Sequence, residues 1–189
     1  MIQPSAPKIR GKFKDVASRV LQAIVAVAVL TTVIMFVANQ NRQGQGVVPA
    51  SIEIGKTLAY KPDRLGLPGG GCSGAVFRLR ASSARAIDAQ GLTFFEGIRR
   101  PRQYEQMDAR YRESNYYGQW RPTPITHDVK INEGAFAWYS ALKCSNLSDD
   151  WKAEMRRQML VSGSYYAASR NGHILVSPKD KTVSYFYAD

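Results

Sequence analysis

The sequence predicts an α+β protein: a single transmembrane helix at the N-terminus, then one extracytoplasmic domain with an antiparallel sheet and a few short helices. Three observations predict it. Val20 to Ala38 reads VLQAIVAVAVLTTVIMFVA, 19 residues without a charge. A capped amphipathic helix starts at Ser148. The chain then closes on three apolar segments separated by turn residues, the pattern of a β-meander.

The apolar run comes first. At 1.5 Å per residue it spans close to the ~30 Å of a bilayer core. Lys8, Arg10, Lys12, Lys14 and Arg19 precede or open it, against the one acid Asp15. Cationic flanks stay in the cytoplasm, so the C-terminal side is expected outside it, periplasmic or extracellular. Two other readings compete. A cleaved signal peptide has a shorter apolar core and small residues before the cut, but here Phe36 stands where a small side chain is wanted. A core helix of a globular domain keeps one polar face, and this run has none. The expected layout is a basic cytoplasmic tail over 1–15, an anchor in the cytoplasmic membrane over 16–38, a flexible linker over 39–50 and the extracytoplasmic domain over 51–189. The linker reads NQNRQGQGVVPA, polar and glycine-containing.

Net charge is +11 over 189 residues. From Arg42 onward, 14 Arg and 7 Lys against 14 acidic residues leave +7 outside the membrane. Such a surface suits acidic protein faces, cell-wall polymer or anionic lipid, and the topology argues against nucleic acid. Both cysteines, Cys72 and Cys144, fall in the outer domain. In an oxidising compartment they pair most simply as one disulfide; two buried free thiols are the alternative. With no CxxC and only His127 and His173, no metal site and no cofactor are expected.

Within the outer domain a strand runs from Ile52 towards Tyr60. A glycine-rich loop, LGLPGGGCSG, leads into a second strand over Ala75 to Arg80. Ser82 is placed to cap a short helix that Gly91 ends, and the apolar Leu92 to Phe95 follows as a buried segment. Pro101 suits the first turn of a helix reaching about Glu113, with a stripe of Tyr104, Met107 and Tyr111 and an Asp108–Arg112 pair. Residues 127–140 read as a hairpin turning at Asn132-Glu133-Gly134, or as a helix over Ala135 to Leu142. Ser148 then caps a helix with Asp149 and Asp150 in its first turn and a stripe of Trp151, Met155 and Met159. The final strands are Tyr165 to Ser169, His173 to Ser177 and Thr182 to Tyr187. Asn171-Gly172 is the hairpin signal between the first two.

No catalytic set is complete. The loop Gly69 to Gly74 lacks the Lys of a phosphate loop, and Ala75 stands where a nucleophile elbow needs Gly. His127 with Asp128 could activate Cys72, which leaves a membrane-tethered hydrolase or thiol enzyme as an alternative. His173 is expected at the surface, at the end of a strand. The other concentration of chemistry is cationic and aromatic. Arg99, Arg100 and Arg102 flank Pro101, and Arg110 and Arg112 follow. Tyr104, Tyr111, Tyr116, Tyr117 and Trp120 interleave with them. Arg, Tyr and Trp are the residues that dominate protein-binding hot spots. This segment is therefore the expected partner-binding surface of a non-enzymatic subunit in a cell-envelope assembly. Binding of wall polymer or anionic lipid by the same residues is the second alternative.

Overall fold

The computed structural model describes residues 10–61, 71–125, 135–170 and 172–188; the side chains of 10–20, 23, 39–43, 110–111, 135–137 and 188 lie outside that description. Along the chain come α1 (Arg10–Gln45), β1 (Ile54–Lys61), β2 (Cys72–Leu79) and α2 (Ala81–Gln90). After several short 3-10 turns come α3 (Ala109–Arg112), β3 (Arg121–Pro122), α4 (Ala135–Cys144) and α5 (Asp149–Leu160). The chain ends in β4 (Tyr165–Ala168), β5 (Gly172–Ser177) and β6 (Thr182–Ala188). It divides into two compact units, Met1–Gln40 and Asn41–Asp189.

The first unit holds most of α1. Its described apolar side chains, among them Leu21, Ile24, Val29, Ile34 and Phe36, are all exposed. Among the described residues no helix is long and apolar enough to cross a membrane, so the expected span draws no support from them. The described side chains of α1 run unbroken only from Ile24 to Ala38.

In the second unit, the segment expected as a flexible linker is helical as far as Gln45 and then enters the fold. Val48 is fully buried, as is Ile52. The Arg102 N–H donates to the Val48 carbonyl at 3.0 Å and the Gln103 N–H to that of Gly46 at 3.1 Å. Gly46 has a reason beyond flexibility, because a Cβ there would collide with the Gln103 side chain. A Gln/Gly-rich composition looks like a tether, but here the small residues permit close packing.

The sheet has six strands in the order β1-β2-β6-β5-β4-β3, and every neighbouring pair is antiparallel. The expected meander is β4, β5 and β6, and β6 continues the sheet by pairing with β2. Alternate residues serve opposite faces. One face presents Ala75, Phe77, Leu79, Ile174, Val176, Val183 and Tyr185, packed with Ala84 and Ile87 of α2 and with Phe95, Tyr117 and Trp120. The other presents Val76, Leu175 and Phe186, packed with Trp138 and Leu142 of α4 and Met155 and Met159 of α5. Burial on both faces explains why β5 reads Ile174-Leu175-Val176 without a polar break. The architecture is α+β, with a helix-bearing layer on each side of an antiparallel sheet.

The helix at Ser148 forms as expected. The Ser148 hydroxyl accepts from the Trp151 N–H at 3.5 Å, and Asp149 and Asp150 sit in the first turn. Met155 and Met159 are buried. α2 ends at Gly91 (φ +58°), but Ser82 does not cap it; Arg80 occupies that position. The Ser82 hydroxyl instead donates to Glu53 at 2.6 Å, and the Ser83 hydroxyl accepts the Glu53 N–H at 2.9 Å. The helix expected over 101–113 is replaced by a bridge between Pro49 and Pro101 and by short turns ending in α3. Residues 127–134 of the expected hairpin lie outside the described residues, and Ala135–Cys144 is helical. Cys72, at the start of β2, and Cys144, at the end of α4, are joined in the expected disulfide with Cα atoms 5.5 Å apart. Gly74 serves the same junction, since a Cβ would meet the Leu147 side chain at 2.7 Å.

Candidate interaction groove

The arginine segment is held by its backbone. Its neighbours on one side are Gly46 and Val48, through the bonds from Gln103 and Arg102. On the other side, the Tyr117 N–H donates to the Arg99 carbonyl at 2.9 Å. Pro101, which has no N–H to satisfy, sits between these anchor points. The chain makes a bridge at Pro101 and then turns, the Tyr104 N–H donating to the Pro101 carbonyl at 3.0 Å, and the side chains of Arg99 and Arg100 reach solvent.

The side chains then sort by role. The Arg100 guanidinium lies 5.1 Å from the centre of the Tyr104 ring, and that of Arg99 lies 5.9 Å from Tyr116. Tyr104 and Tyr116 meet edge to face at 6.2 Å. The Arg112 guanidinium also lies 5.9 Å from the Tyr104 centroid, so three cations meet two rings, an arrangement that orients the guanidinium planes. Arg100 also pairs with Glu105 at 3.4 Å, with the two side chains 64% and 71% exposed. Ion pairs this open contribute at most about 1 kcal/mol and leave Arg100 available to another anion.

Arg102 and Arg112 are struts. The Arg102 guanidinium donates to the Ile52 carbonyl at 3.2 Å, and partial burial lowers its pKa. Arg112 donates to the carbonyls of Glu105 and Met107 at 2.9 and 3.1 Å, closing the turn that carries Tyr104. Arg110 and Tyr111 lie in α3, and their side chains fall outside the described residues.

Tyr117 and Trp120 were expected at the interface and are core residues, 1% and 6% exposed. Each has found an internal acceptor: the Tyr117 hydroxyl donates to the Val47 carbonyl at 2.8 Å and the Trp120 indole N–H to that of Ile98 at 2.6 Å. Burial first, and Tyr185 second, push the Tyr117 phenol well above its usual pKa, so it stays protonated and donating. Tyr117→Phe should therefore cost about 1–2 kcal/mol by leaving the Val47 carbonyl short of a donor. An unchanged urea midpoint for this variant would contradict that account.

Two hollows meet along this surface. One, of about 500 Å³, is lined by Ala50, Ser51, Arg99, Arg100, Tyr104 and Tyr116 among others. The second, of about 360 Å³, is lined by Leu92, Phe95, Gln119 and Trp120. Glu96, Gly97 and Arg99 line both. In the second lobe Phe95 and Trp120 are stacked with centroids 4.3 Å apart. No family model, no curated protein and no solved structure matches this chain. Function has to be read from the chemistry of these side chains.

That chemistry is cationic and aromatic in the first hollow, whereas the second is mixed, with exposed Leu92 beside Glu96, Arg99 and Gln119 and with Phe95 and Trp120 buried beneath its surface. The second hollow was not foreseen. Its signal was the Leu92-Thr93-Phe94-Phe95 run, expected to be buried throughout, whereas Leu92 is 43% exposed.

The other candidate centre changes character. The Cys72 sulfur is bonded to Cys144, so it is no thiolate nucleophile in this state. His127 and Asp128 lie outside the described residues. Among the described residues no group of three His, Cys, Asp or Glu could hold a metal ion. His173, expected at the surface, is instead buried against Trp138 and Phe186. The helix α4 covers the face of β5 on which it sits.

Proposed function

We propose that this protein is a membrane-anchored, non-enzymatic subunit of a cell-envelope assembly. In this reading α1 fixes it in the cytoplasmic membrane with the N-terminus inside. The domain from Asn41 onward then stands outside and binds partner proteins through the Arg99–Tyr116 groove. The observation that carries the reading is the pair Arg99 and Arg100, seated over Tyr116 and Tyr104 at the mouth of an open groove. These are hot-spot residue types on a pinned backbone, so little ordering entropy opposes binding.

Three further facts support it. The described side chains of α1 from Leu21 to Ala38 are exposed and, apart from Gln22, Thr31 and Thr32, apolar, and lipid removes the cost of wetting them. The basic residues before the run favour the cytoplasmic side for the N-terminus. A disulfide suits an oxidising compartment and takes the cysteine away from thiol chemistry.

The test has two parts. The chain should remain with membranes after an alkaline carbonate wash, and its appearance in the soluble fraction would remove the anchor. A photoreactive residue in place of Arg100 or Tyr116 should capture discrete protein partners in cells. The same probe at Arg156, on the outward side of α5 across the sheet, should capture none of them. Equal capture from both faces would remove the groove from the proposal.

A further inference from the structure

We infer that the end of α5 docks on the anionic lipid surface of the membrane that holds the chain, through Leu160 and Val161 with Arg156 and Lys179 beside them. This rests on reading α1 as a membrane anchor and adds a second, reversible contact with the same bilayer. Among the described residues of the second unit, the large apolar side chains that stay exposed are Leu92, Tyr116, Leu160 and Val161. Leu92 and Tyr116 belong to the two hollows already described. Leu160 and Val161 are consecutive, 59% and 52% exposed, at the end of the helix packed on the other sheet face.

The backbone beneath them is fixed. The Val161 N–H donates to the Arg157 carbonyl at 3.1 Å, and the Val161 carbonyl accepts from the Thr123 hydroxyl at 2.6 Å. The Thr123 N–H donates to the Ser164 carbonyl and the Ile125 N–H to that of Met159, each at 2.9 Å. Pro124, held between those two anchor points, is exposed as well and has no N–H to satisfy. Apolar side chains kept in water on a rigid frame gain by leaving it.

Cations border this tip. Arg156 precedes Leu160 by one helical turn, so the two side chains are neighbours on the helix surface. Arg157, Val161, Lys179 and Asp180 line one small hollow. Arg157 is committed to Glu154 and Asp180. Arg156 and Lys179 are exposed and pair with no acid among the described residues. Asp149 and Asp150 stand in the first turn of α5, at its far end. An apolar tip bordered by cations matches the order of a bilayer surface, with hydrocarbon beneath and phosphates level with the charges. A protein partner fits less well, because a stable protein interface buries ~800 Å² on each side and three side chains offer a fraction of that. Lipid needs no such area here. Val48, buried in the domain, follows Ala38, the last residue of the apolar run, by only ten positions, a reach of about 35 Å at full extension. A tether this short keeps headgroups at high effective concentration, so a small contact suffices.

The test reconstitutes the full chain into phosphatidylcholine vesicles with or without phosphatidylglycerol. Cys72 and Cys144 are bonded to each other, so a Ser162→Cys thiol can be labelled alone with a fluorophore. Leu92→Cys, exposed on the other side of the sheet, is the control site. A nitroxide quencher carried on the lipid should dim the Ser162 label about threefold more than the Leu92 label when phosphatidylglycerol is present. Adding Leu160→Ser with Val161→Ser, or Arg156→Glu with Lys179→Glu, should bring the two sites level. All four positions are exposed, and unchanged urea midpoints would show the fold intact. Quenching at Ser162 no greater than at Leu92, with the chain still held by the vesicles after an alkaline wash, would overturn this inference and leave the anchor standing. Equal quenching with and without phosphatidylglycerol would overturn the anionic requirement, and quenching that survives both double variants would remove these residues from the contact. A chain that leaves the vesicles in the wash would overturn the anchor and this contact together.

Discussion

Replacing both cysteines, Cys72→Ala with Cys144→Ala, should lower the free energy of unfolding by about 4 kcal/mol, the entropy that a crosslink across a loop of this length removes from the unfolded chain. The two residues are separated by 72 positions. The bridge ties the first residue of β2 to the last residue of α4, two elements that also share the core packed on that sheet face. The loss would consume a large part of the 5–15 kcal/mol, roughly, that holds an ordinary domain together. A second signature separates this mechanism from a packing defect. Without the crosslink the unfolded chain expands, so the urea m-value should rise while the midpoint falls. Reducing the wild-type protein should reproduce both changes. A midpoint indifferent to reductant would show that the bond adds nothing to stability.

The elements readable from the sequence were those whose causes are local. Ser148 with Asp149 and Asp150 announces a helix start by itself, and the helix begins there. The meander from Tyr165 to Tyr187 follows from three apolar segments separated by turn residues within a short span. What could not be read was set by contacts between distant segments. Pro101 and the residues after it have the spacing of a helix. The N–H groups of Arg102 and Gln103 are instead claimed by Val48 and Gly46, some 55 residues earlier, and those tertiary bonds override local propensity. The pairing of β2 with β6 is equally non-local. Residues 44–50 looked like a tether because composition says nothing about whether a backbone will find partners.

The groove was legible by half. Arg99, Arg100, Tyr104 and Tyr116 are where their chemistry suggested, at an open surface. Tyr117 and Trp120 have the same composition signature but lie inside, because each polar tip reaches a carbonyl within the fold. An aromatic residue between arginines belongs to whichever side satisfies its O–H or N–H, and neighbours in sequence do not decide that. The same holds for the two lobes. Only the fold brings Leu92 and the Phe95–Trp120 stack alongside Arg99.

His173 was expected at the surface because it follows a turn, yet it is the residue through which acid should destabilise the domain most. Its ring is 6% exposed. It stacks on Phe186 with centroids 5.8 Å apart and meets Trp138 edge-on at 4.7 Å. Neither ring nitrogen has a hydrogen-bond partner among the described residues. Burial pushes its pKa down to about 4, whereas an unfolded imidazole titrates near 6.5. Between those values the unfolded chain binds the proton and the folded one does not, so stability falls as pH falls. The loss begins near pH 6.5, approaches about 1.4 kcal/mol per pH unit and totals about 3 kcal/mol below pH 4. Glu154 and Asp180 also have lowered pKa values, Glu154 mainly through its bond to Arg157 and Asp180 through Ser177 and Arg157 working against burial. Their stabilisation is lost as pH falls through and below the ordinary carboxylate range, which among the described residues leaves pH 6.5 to 5 to His173. His173→Phe keeps a ring between Trp138 and Phe186 and removes the proton site. Urea unfolding at pH 7.5, 6 and 5 should show the wild type losing stability across that window and the variant holding level. Parallel slopes for the two proteins would mean that some other group carries the acid sensitivity. A variant more stable than wild type even at pH 7.5 would add that the two unpartnered nitrogens cost the fold free energy in their neutral form as well.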